Sequence, residues 1–523
     1  MKSQLNQKIS FINNKINTSL IALLFSAIYV ALFFGMYRDG HHYAIILGIF
    51  FTVSVMYTKD LFSNKNILYL LLIYLILPII YWFTPDFSWD GNAYHLLAIK
   101  DIDSSFGLAQ SLTNRIDLMH YPKSAWYLGN SYYHLYHNIN LSRFTVLVFY
   151  IFSLLTLHNC TKSYSTLFFS YSNFKRICIV FCISITPVYS CQFFTNYVDF
   201  ILYSSIISST SVILTYLKNK SESLLVVSIF LLSIVATVKF NGLPIALLLS
   251  TIVIYVCYVN KKYWHIALLI LVMTFALYDP YYLNFKDYGN IFYPIYGGQK
   301  IDVISPVSPW GVNHFDLPEM IRAIQVIFLK HGSIVSEYKY PWEIYGSEIQ
   351  RLGRPDTIAG GQGLLGSVIF IMYLAYFTKL LLKKEFKLAL VFIAILMGSF
   401  MYPGASFARY NFFYPLLPFI FIVLRKESYI TTSVILITIA NIILTFLAGT
   451  TFQLLRHERY NFVLNNPGQI IVGSKIYTPQ YIDTKGLILD ETKTGIFIQG
   501  CFESKFKIIL PKNMGTICND RLL

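Results

Sequence analysis

The feature that most constrains this chain is a series of apolar stretches, each about as long as a helix that crosses a lipid bilayer. Hydrophobic residues make up 55% of the sequence and charged residues only 13%, which is more apolar surface than a soluble domain can bury. We therefore predict an α-helical polytopic membrane protein with about thirteen transmembrane helices. The predicted spans are 18–37, 42–57, 66–84, 143–159, 177–192, 200–217, 223–238, 243–259, 264–280, 362–382, 388–403, 409–424 and 428–448.

The distribution of lysine and arginine predicts the orientation of these helices. Basic residues accumulate in short cytoplasmic loops, and every second short connection between the predicted spans is basic. The N-terminus is then cytoplasmic, whereas two long segments at 85–142 and 281–361 lie outside, together with the tail from 449. This pattern accounts for most of the net charge of +15, with some attraction to anionic lipid, so the charge does not require a nucleic-acid partner.

Three regions follow from this organisation. We predict an N-terminal transmembrane hairpin in 1–65, the main membrane domain in 66–448 and a small outer domain in 449–523. The first span follows a basic segment as a signal peptide would, but it is too long and lacks a small-residue cleavage site. Short strand-like segments separated by Gly and Pro predict β-structure in the tail. Cys501 and Cys518 lie there and form either a disulfide or two free thiols.

The first outer segment carries two acids just beyond the third predicted span. In the sequence PDFSWDGNAYH, Asp86 and Asp90 lie one helical turn apart. An acid at this position either caps the free N–H groups at a helix start or has a chemical role at the membrane surface. Apolar spacing predicts a helix from 92 to 102 and a second one after Pro122, whose aromatic face suits either packing or the membrane interface.

Four segments of the chain resemble the GT-C superfamily of membrane glycosyltransferases, in particular bacterial relatives of protein O-mannosyltransferases and aminoarabinose transferase. These segments are SWDGNAYHLLAI, RIDLMHYPKSAW, YDPYYLNFKDYGNIFYP and FARYNFFYPLLPF. The third is similar to the family's GNPxYP turn, and the fourth is similar to its RYxxPxxP helix. Two features depart from the family pattern. The acid-bearing loop follows the third span instead of the first, and the adjacent carboxylates of the mannosyltransferases are absent, which leaves the acceptor class open.

The resemblance implies transfer of a sugar from a polyprenyl-phosphate carrier to an acceptor hydroxyl or phosphate at the outer membrane face, with inversion at the anomeric carbon. Such a reaction needs one carboxylate to accept the acceptor's proton and cations to hold the departing phosphate. The residue expected as base is Asp90, with Asp86 second, and the expected phosphate ligands are Arg409 and Lys239. Interfacial anchoring is the alternative role of both basic residues.

The remaining candidates are polar residues of the same outer loops. Tyr94 lies beside His95, and both this histidine and His120 are candidates for orienting the acceptor, sharing protons or binding a metal. A hydrogen-bonded interfacial histidine is the alternative for each imidazole. Asn290 and Tyr293 belong to the loop expected over the carrier phosphate, where turn formation also explains Asn290.

A divalent cation is the one cofactor that the sequence leaves open. Asp199 caps a helix or helps to fix substrate or such an ion, but no group of residues has metal-ligand spacing, so no metal site is assigned. The predicted partners are a polyprenyl-phosphate-linked sugar, a glycan, lipid or protein acceptor, and the bilayer. The many Lys, Asn, Ile and Tyr residues are typical of an AT-rich bacterial genome, which favours a cytoplasmic-membrane enzyme that modifies surface polysaccharide or lipopolysaccharide.

Two other classes of function stay open. A polymerase or ligase of lipid-linked polysaccharide would place its chemistry on basic residues of a late outer loop, where Arg351, Arg354, His314 and His331 are available. A flippase of lipid-linked oligosaccharides, or another transporter, would bury ionisable groups near the bilayer midplane and contain internal repeats. Neither feature is apparent in the sequence, which favours the transferase.

Overall fold

The computed structural model describes residues 2–41, 44–45, 47–49, 51, 64–84, 86, 88, 91, 95–102, 119–164, 173–294, 318–330, 337–352, 363–386, 389–390, 393, 396–397, 411, 428–465, 507–509 and 516–518. The helices are α1 (Lys2–Arg38), α2 (Asn64–Ile76), α3 (Ile79–Trp82), α4 (Leu96–Asp101), α5 (Ser124–Tyr136), α6 (Phe144–Ser163), α7 (Asn173–Ser184), α8 (Pro187–Ser190), α9 (Asp199–Asn219), α10 (Glu222–Val238), α11 (Gly242–Val259), α12 (Tyr263–Leu277), α13 (Leu283–Tyr288), α14 (Glu319–Ile327), α15 (Gly346–Arg351), α16 (Gly366–Leu382) and α17 (Ser428–Asn465). A 3₁₀ turn (Ile139–Arg143) precedes α6, and a π turn (Tyr278–Tyr282) joins α12 to α13. In the tail, β1 (Lys507–Ile509) pairs antiparallel with β2 (Thr516–Cys518).

Six of the described helical segments are long and apolar enough to cross a membrane. They are Thr18–Arg38, Ile139–Ser163, Asp199–Asn219, Gly242–Val259, Tyr263–Tyr288 and Thr432–Thr451. Three shorter apolar segments are Asn66–Trp82, Glu222–Val238 and Gly366–Leu382. Helices α2 and α11 expose rows of large apolar side chains, which suits contact with lipid better than contact with water. The chain is therefore a helical membrane protein, as its composition predicts.

Helix α10 occupies the centre of the core. Every residue from Leu224 to Val238 is buried, and nearly all of them are apolar. A helix that is apolar on all sides is stable where neighbouring helices or lipid surround it, and here α1, α9, α11 and α12 do so. The hydroxyl of Tyr29 in α1 shares a hydrogen bond of 2.9 Å with the Ser233 hydroxyl of α10. The first helix therefore packs in the same core as the later helices.

Helices α1 and α5 approach each other so closely that one contact requires glycine. A Cβ atom added at Gly35 would lie 2.2 Å from the backbone oxygen of Tyr127. One helical turn after Tyr127, the Ser131 hydroxyl donates a hydrogen bond to the backbone oxygen of Ala31 in α1. All nine residues of α5 from Ser124 to Tyr132 are buried, so its aromatic side chains pack inside the protein. Of the two alternatives that the sequence left open for this helix, the structure shows packing.

Two predicted spans are each divided into two helices, and the first of them, 66–84, is divided between α2 and α3. The segment 177–192 was expected as one helix, but α7 ends at Ser184 and α8 begins at Pro187. Proline disfavours a helical conformation in the residue before it, and Thr186 is extended with φ −109° and ψ 166°. The predicted spans 42–57, 388–403 and 409–424 lie largely outside the described residues, and so do Cys501 and most of the tail.

Polar contacts join several helix ends at one end of the bundle, which we name the site end. The hydroxyls of Ser124 at the start of α5 and Thr237 at the end of α10 are 2.6 Å apart. Immediately after α10, Lys239 forms an ion pair with Asp199 at the start of α9. The starts of α5 and α9 and the end of α10 are therefore held together.

The opposite end of the bundle, which we name the basic end, carries several cationic loops. Lys262 before α12 forms an ion pair with Glu222 at the start of α10. Asn219 at the end of α9 donates a hydrogen bond of 3.1 Å to Ser163 at the end of α6. The described basic residues of this end are Lys162, Lys175, Arg176, Lys218, Lys220, Lys261 and Lys262. The short basic loops from α6 to α12 thus lie on one side of the bundle.

Candidate functional site

Four ionisable side chains meet at the site end, and we name them the acid–base cluster: Asp39, His41, Lys123 and Asp279. Lys123 Nζ donates to Asp279 Oδ2 over 2.6 Å, and His41 Nε2 lies 3.2 Å from the same oxygen. The same His41 nitrogen lies 3.5 Å from Asp39 Oδ2, which also accepts a hydrogen bond of 2.9 Å from the Tyr127 hydroxyl. The side chains of Asp39 and Asp279 are only 3% and 6% exposed. Two carboxylates are therefore held together inside the protein by two basic groups.

A glycine cap places the first two members of the cluster at the end of α1. Gly40 has a left-handed backbone conformation with φ 90°, which glycine adopts without strain. His41 N then donates back to Met36 O over 3.0 Å, as in a common helix C-cap. The helix therefore ends at Arg38, and Asp39 and His41 lie on either side of the capping glycine.

Asp279 lies at a break in the long helical segment that contains α12 and α13. Its backbone is extended, with φ −119° and ψ 124°, inside the π turn. The next residue is Pro280, which has no N–H group and disfavours a helical conformation in the residue before it. The Asp-Pro sequence thus interrupts the helix and places the carboxylate at the end of α12.

Electrostatic interactions within the cluster keep His41 protonated. Burial alone would lower the pKa of His41, but hydrogen bonds to Asp279 and Asp39, with the charge of Asp279, outweigh burial and raise this pKa to about 9. At neutral pH the imidazolium and the Lys123 ammonium balance the two carboxylates. Removal of one charge would leave an opposite charge buried without compensation, which is costly.

A second group of side chains, the amide–aromatic cluster, lies beside the first and consists of His120, Asn284, Tyr288 and Tyr293. Asn284 is fully buried, and its amide nitrogen donates to the backbone oxygens of His120 over 3.0 Å and Tyr293 over 2.7 Å. Its side-chain oxygen therefore accepts from His120 Nδ1 over 2.7 Å. The rings of Tyr288 and Tyr293 are stacked with centroids 3.6 Å apart, and His120 packs edge-on against both.

Burial lowers the pKa of His120, although the hydrogen bond to Asn284 opposes that effect. His120, Asn290 and Tyr293 are among the residues predicted to bind substrate or phosphate, and the structure brings His120 and Tyr293 together. Asn290 forms a local turn, in which its side-chain oxygen accepts from Phe292 N over 3.0 Å.

Asp86 joins the loop after α3 to the segment before α9. Its Oδ1 accepts from Ser88 N over 2.8 Å, while its Oδ2 accepts from Asn196 N over 2.7 Å and from Asn196 Nδ2 over 3.0 Å. Burial raises the pKa of Asp86, against the opposing effects of Arg143 and these hydrogen bonds. A Cβ atom at Gly91 would lie 2.0 Å from Asp86 Oδ2, so the loop closes tightly over the carboxylate.

Two other predicted residues have defined partners at the site end. His95 is buried, and its Nδ1 accepts a hydrogen bond of 2.8 Å from Trp126 Nε1. Lys239 is also buried and pairs with Asp199, another of the candidates, whose side chain is 1% exposed. This ion pair explains how a lysine is accommodated at the end of the bundle that is otherwise poor in basic loops.

Three central predictions fall outside the described residues: Asp90, Tyr94 and Arg409. The same is true of His314, His331 and Arg354, while Arg351 is described by its backbone alone. Residues on both sides of Asp90 are described and buried, namely Asp86, Ser88, Gly91 and His95.

Six residues that the structure brings together were not among the predicted site residues: Asp39, His41, Lys123, Asp279, Asn284 and Tyr288. Lys123, Asp279, Asn284 and Tyr288 lie inside the quoted segments RIDLMHYPKSAW and YDPYYLNFKDYGNIFYP, so the resemblance contained the signal. For Asp39 and His41 the available signal was an acid-glycine pair directly after the first span.

Comparisons of this chain with protein-family models, with curated proteins and with solved structures find no match.

Proposed function

We propose that this protein is a membrane glycosyltransferase of the GT-C type, which moves a sugar from a polyprenyl-phosphate carrier to a glycan, lipid or protein acceptor. In this proposal the chain has about thirteen transmembrane helices and a small β-containing outer domain in the tail. The basic end faces the cytoplasm, and the site end faces outwards from a bacterial cytoplasmic membrane. The carrier phosphate would be bound at that outer face.

The observation that supports this function is the convergence of three segments that resemble the family. His95, from the first segment, accepts a hydrogen bond from Trp126 of the second. The second and third segments meet where Lys123 pairs with Asp279. His95 and Trp126 are 31 positions apart and Lys123 and Asp279 are 156 positions apart, so neither local structure nor periodicity alone accounts for their meeting. A shared site for one bound substrate does account for it.

The proposed reaction is a direct displacement at the anomeric carbon. Asp90 accepts the proton of the acceptor hydroxyl, the acceptor oxygen bonds to the anomeric carbon, and the bond from that carbon to the phosphate oxygen breaks. Both electrons of that bond leave with the polyprenyl phosphate, which departs as an anion, and the configuration inverts. A single base and stabilisation of the phosphate are sufficient for such a step.

The described residues suit supporting roles around this reaction. Asp86 is a positioning residue, because its hydrogen bonds fix the loop that carries the proposed base. His120 and Tyr293 pack against each other beside the acid–base cluster and would support the loop expected over the carrier phosphate. Arg409 and Lys239 are the proposed phosphate ligands, and Lys239 would have to share its charge between the phosphate and Asp199.

The proposal is tested by mass spectrometry of surface glycans and lipid-linked intermediates from cells with the wild-type protein, Asp90→Asn, or no protein. We expect both deficient strains to lose one sugar unit and to accumulate its polyprenyl-phosphate donor. Asp287→Asn is the matched control, because Asp287 is an exposed carboxylate at the site end. Accumulation of whole repeat units on the carrier, with Asp90→Asn behaving as wild type, would instead indicate a polymerase, ligase or flippase.

A further inference from the structure

One carboxylate oxygen of the acid–base cluster is buried without a hydrogen bond. Asp279 Oδ1 has no partner among the described residues, although the side chain is only 6% exposed. The other oxygen, Oδ2, accepts from Lys123 and faces His41. An unsatisfied carboxylate oxygen inside a protein is energetically costly, unless a ligand or ion binds it. The free lone pairs of Asp279 therefore indicate a binding partner that completes the cluster.

The spacing of the neighbouring donor atoms suits a metal ion. One donor atom from each of Asp39, His41 and Asp279 lies within 4.8 Å of the other two. His41 Nε2 is 3.2 Å from Asp279 Oδ2 and 3.5 Å from Asp39 Oδ2. Ligands bound about 2.0–2.2 Å from one tetrahedral ion are separated by about 3.3–3.6 Å, so these distances need little adjustment. We infer that Asp39, His41 and Asp279 bind one divalent transition-metal ion. This ion displaces the proton that His41 carries in the metal-free protein.

The types of donor narrow the choice of metal. Carboxylates favour hard cations, whereas an imidazole nitrogen favours transition metals, so one imidazole with two carboxylates suits Mn²⁺, Fe²⁺ or Zn²⁺ better than Ca²⁺ or Mg²⁺. Three protein ligands also leave at least one coordination position open, as in catalytic sites that bind a water or substrate oxygen.

Two neighbouring side chains are arranged to orient the ligands. The Tyr127 hydroxyl donates to Asp39 Oδ2 over 2.9 Å, and Lys123 Nζ donates to Asp279 Oδ2 over 2.6 Å. Hydrogen bonds of this kind fix ligating carboxylates in metal sites, and their loss weakens metal binding. Lys123 uses one lone pair of Asp279 Oδ2, and Oδ1 has no partner among the described residues, so the carboxylate can bind the ion through Oδ2, Oδ1 or both.

Metal binding by the full-length protein in detergent tests the inference. The protein is treated with chelator, equilibrated with Mn²⁺ or with Zn²⁺ in separate samples, and desalted before metal analysis. We expect one ion per chain in the wild type. Asp39→Asn, His41→Gln and Asp279→Asn should each weaken binding at least 10-fold, and Tyr127→Phe should weaken it about 10–100-fold through its effect on Asp39. Glu222→Gln is the matched control, because it removes a carboxylate paired with a lysine at the basic end.

A spectroscopic measurement guards against effects of misfolding. Electron spin echo spectroscopy of bound Mn²⁺ should show coupling to an imidazole nitrogen in the wild type and in Glu222→Gln. His41→Gln should lose this coupling, because His41 supplies the only nitrogen ligand in the inferred set. Absence of a stoichiometric ion, or equal binding by all cluster variants, would show that the cluster is an ion-pair network without metal.

This inference is independent of the proposed reaction, because the bound ion is measured without any sugar donor or acceptor. Loss of metal in the variants together with normal glycans in the Asp90→Asn strain would refute the proposed base and leave the metal site intact. The reverse result would refute the metal site and leave the transferase proposal standing.

Discussion

Asp86 illustrates how a single carboxylate supports the site without needing to react. It is the acceptor for three donors: Ser88 N, Asn196 N and Asn196 Nδ2. We predict that Asp86→Ala lowers the free energy of unfolding by about 1–3 kcal/mol, because the buried donors of Ser88 and Asn196 then lack an acceptor. Thermal unfolding in detergent measures this effect, and Asp287→Ala serves as an exposed control. Full stability of Asp86→Ala would show that these hydrogen bonds do not hold the loop.

His120 gives the protein a predicted sensitivity to acid. Its folded-state pKa is lowered, so the unfolded chain binds a proton more readily than the folded chain does. The stability that the neutral imidazole contributes is present above the unfolded value of about 6.5 and is lost as the pH falls through that value. We expect the unfolding temperature to fall between pH 7.5 and pH 5.5 in the wild type and to fall less in His120→Gln. An equal fall in both proteins would contradict this assignment.

At the scale of single residues, the sequence predicted the site only in part. His120 and Tyr293 were identified through the resemblance, and their rings meet in the structure. The pair of Lys123 and Asp279 was not identified, because 156 positions separate them and no local pattern links such distant residues. The predicted roles of Asp90 as base and Arg409 as phosphate ligand are untested, because both residues lie outside the described part of the chain.

Whole elements were predicted more successfully than their environments. Apolar length alone is enough to identify α9 and α11 as long membrane helices. Periodicity could not tell whether the aromatic face of α5 packs against protein or lies at the membrane interface, because both environments favour Trp and Tyr. The structure buries Trp126 and Tyr132 against other helices, a result of tertiary contacts that the sequence of α5 does not contain.

The contact between α1 and α5 yields a prediction about helix packing. A side chain at Gly35 would collide with the backbone of Tyr127, which is unable to move away as a flexible side chain would. We expect Gly35→Ala to lower the free energy of unfolding by about 1–3 kcal/mol, since the helices must separate. Gly346→Ala is the control, because nothing lies within 4 Å of a Cβ atom there. Comparable unfolding temperatures of the two variants would mean that α1 and α5 are packed less closely.

The whole molecule is electrically asymmetric along the bundle. The basic end collects the described cationic loops between α6 and α12, whereas the site end contains Asp39, Asp86, Asp199 and Asp279 as buried or nearly buried side chains. Basic loops remain on the cytoplasmic side during insertion, so this asymmetry predicts that the buried acids lie at the outer face. The alternation of basic loops was evident from the sequence, but the gathering of the acids required the fold.

Helix α17 indicates at which end of the bundle the tail begins. The helix is 38 residues long, well beyond the roughly 20 residues that cross a bilayer. A Cβ atom at Gly449 would lie 3.0 Å from Cys191 Cα, which places this part of α17 beside α8, near the site end. The helix continues from there to Asn465, so the tail leaves the bundle on the side of the acid–base cluster.

Cysteine labelling tests this arrangement in a background in which Cys501 and Cys518 are replaced by serine. We expect a membrane-impermeant maleimide to label Asn465→Cys and Lys286→Cys from outside the cytoplasmic membrane, because both positions belong to the site end. Asn260→Cys, an exposed position at the basic end, should react only after the membrane is permeabilised. Labelling of Asn260→Cys alone from outside would invert the orientation and place the acid–base cluster in the cytoplasm. A lipid-linked donor at the outer face would then be excluded, and a nucleotide-sugar donor or a transport function would take its place.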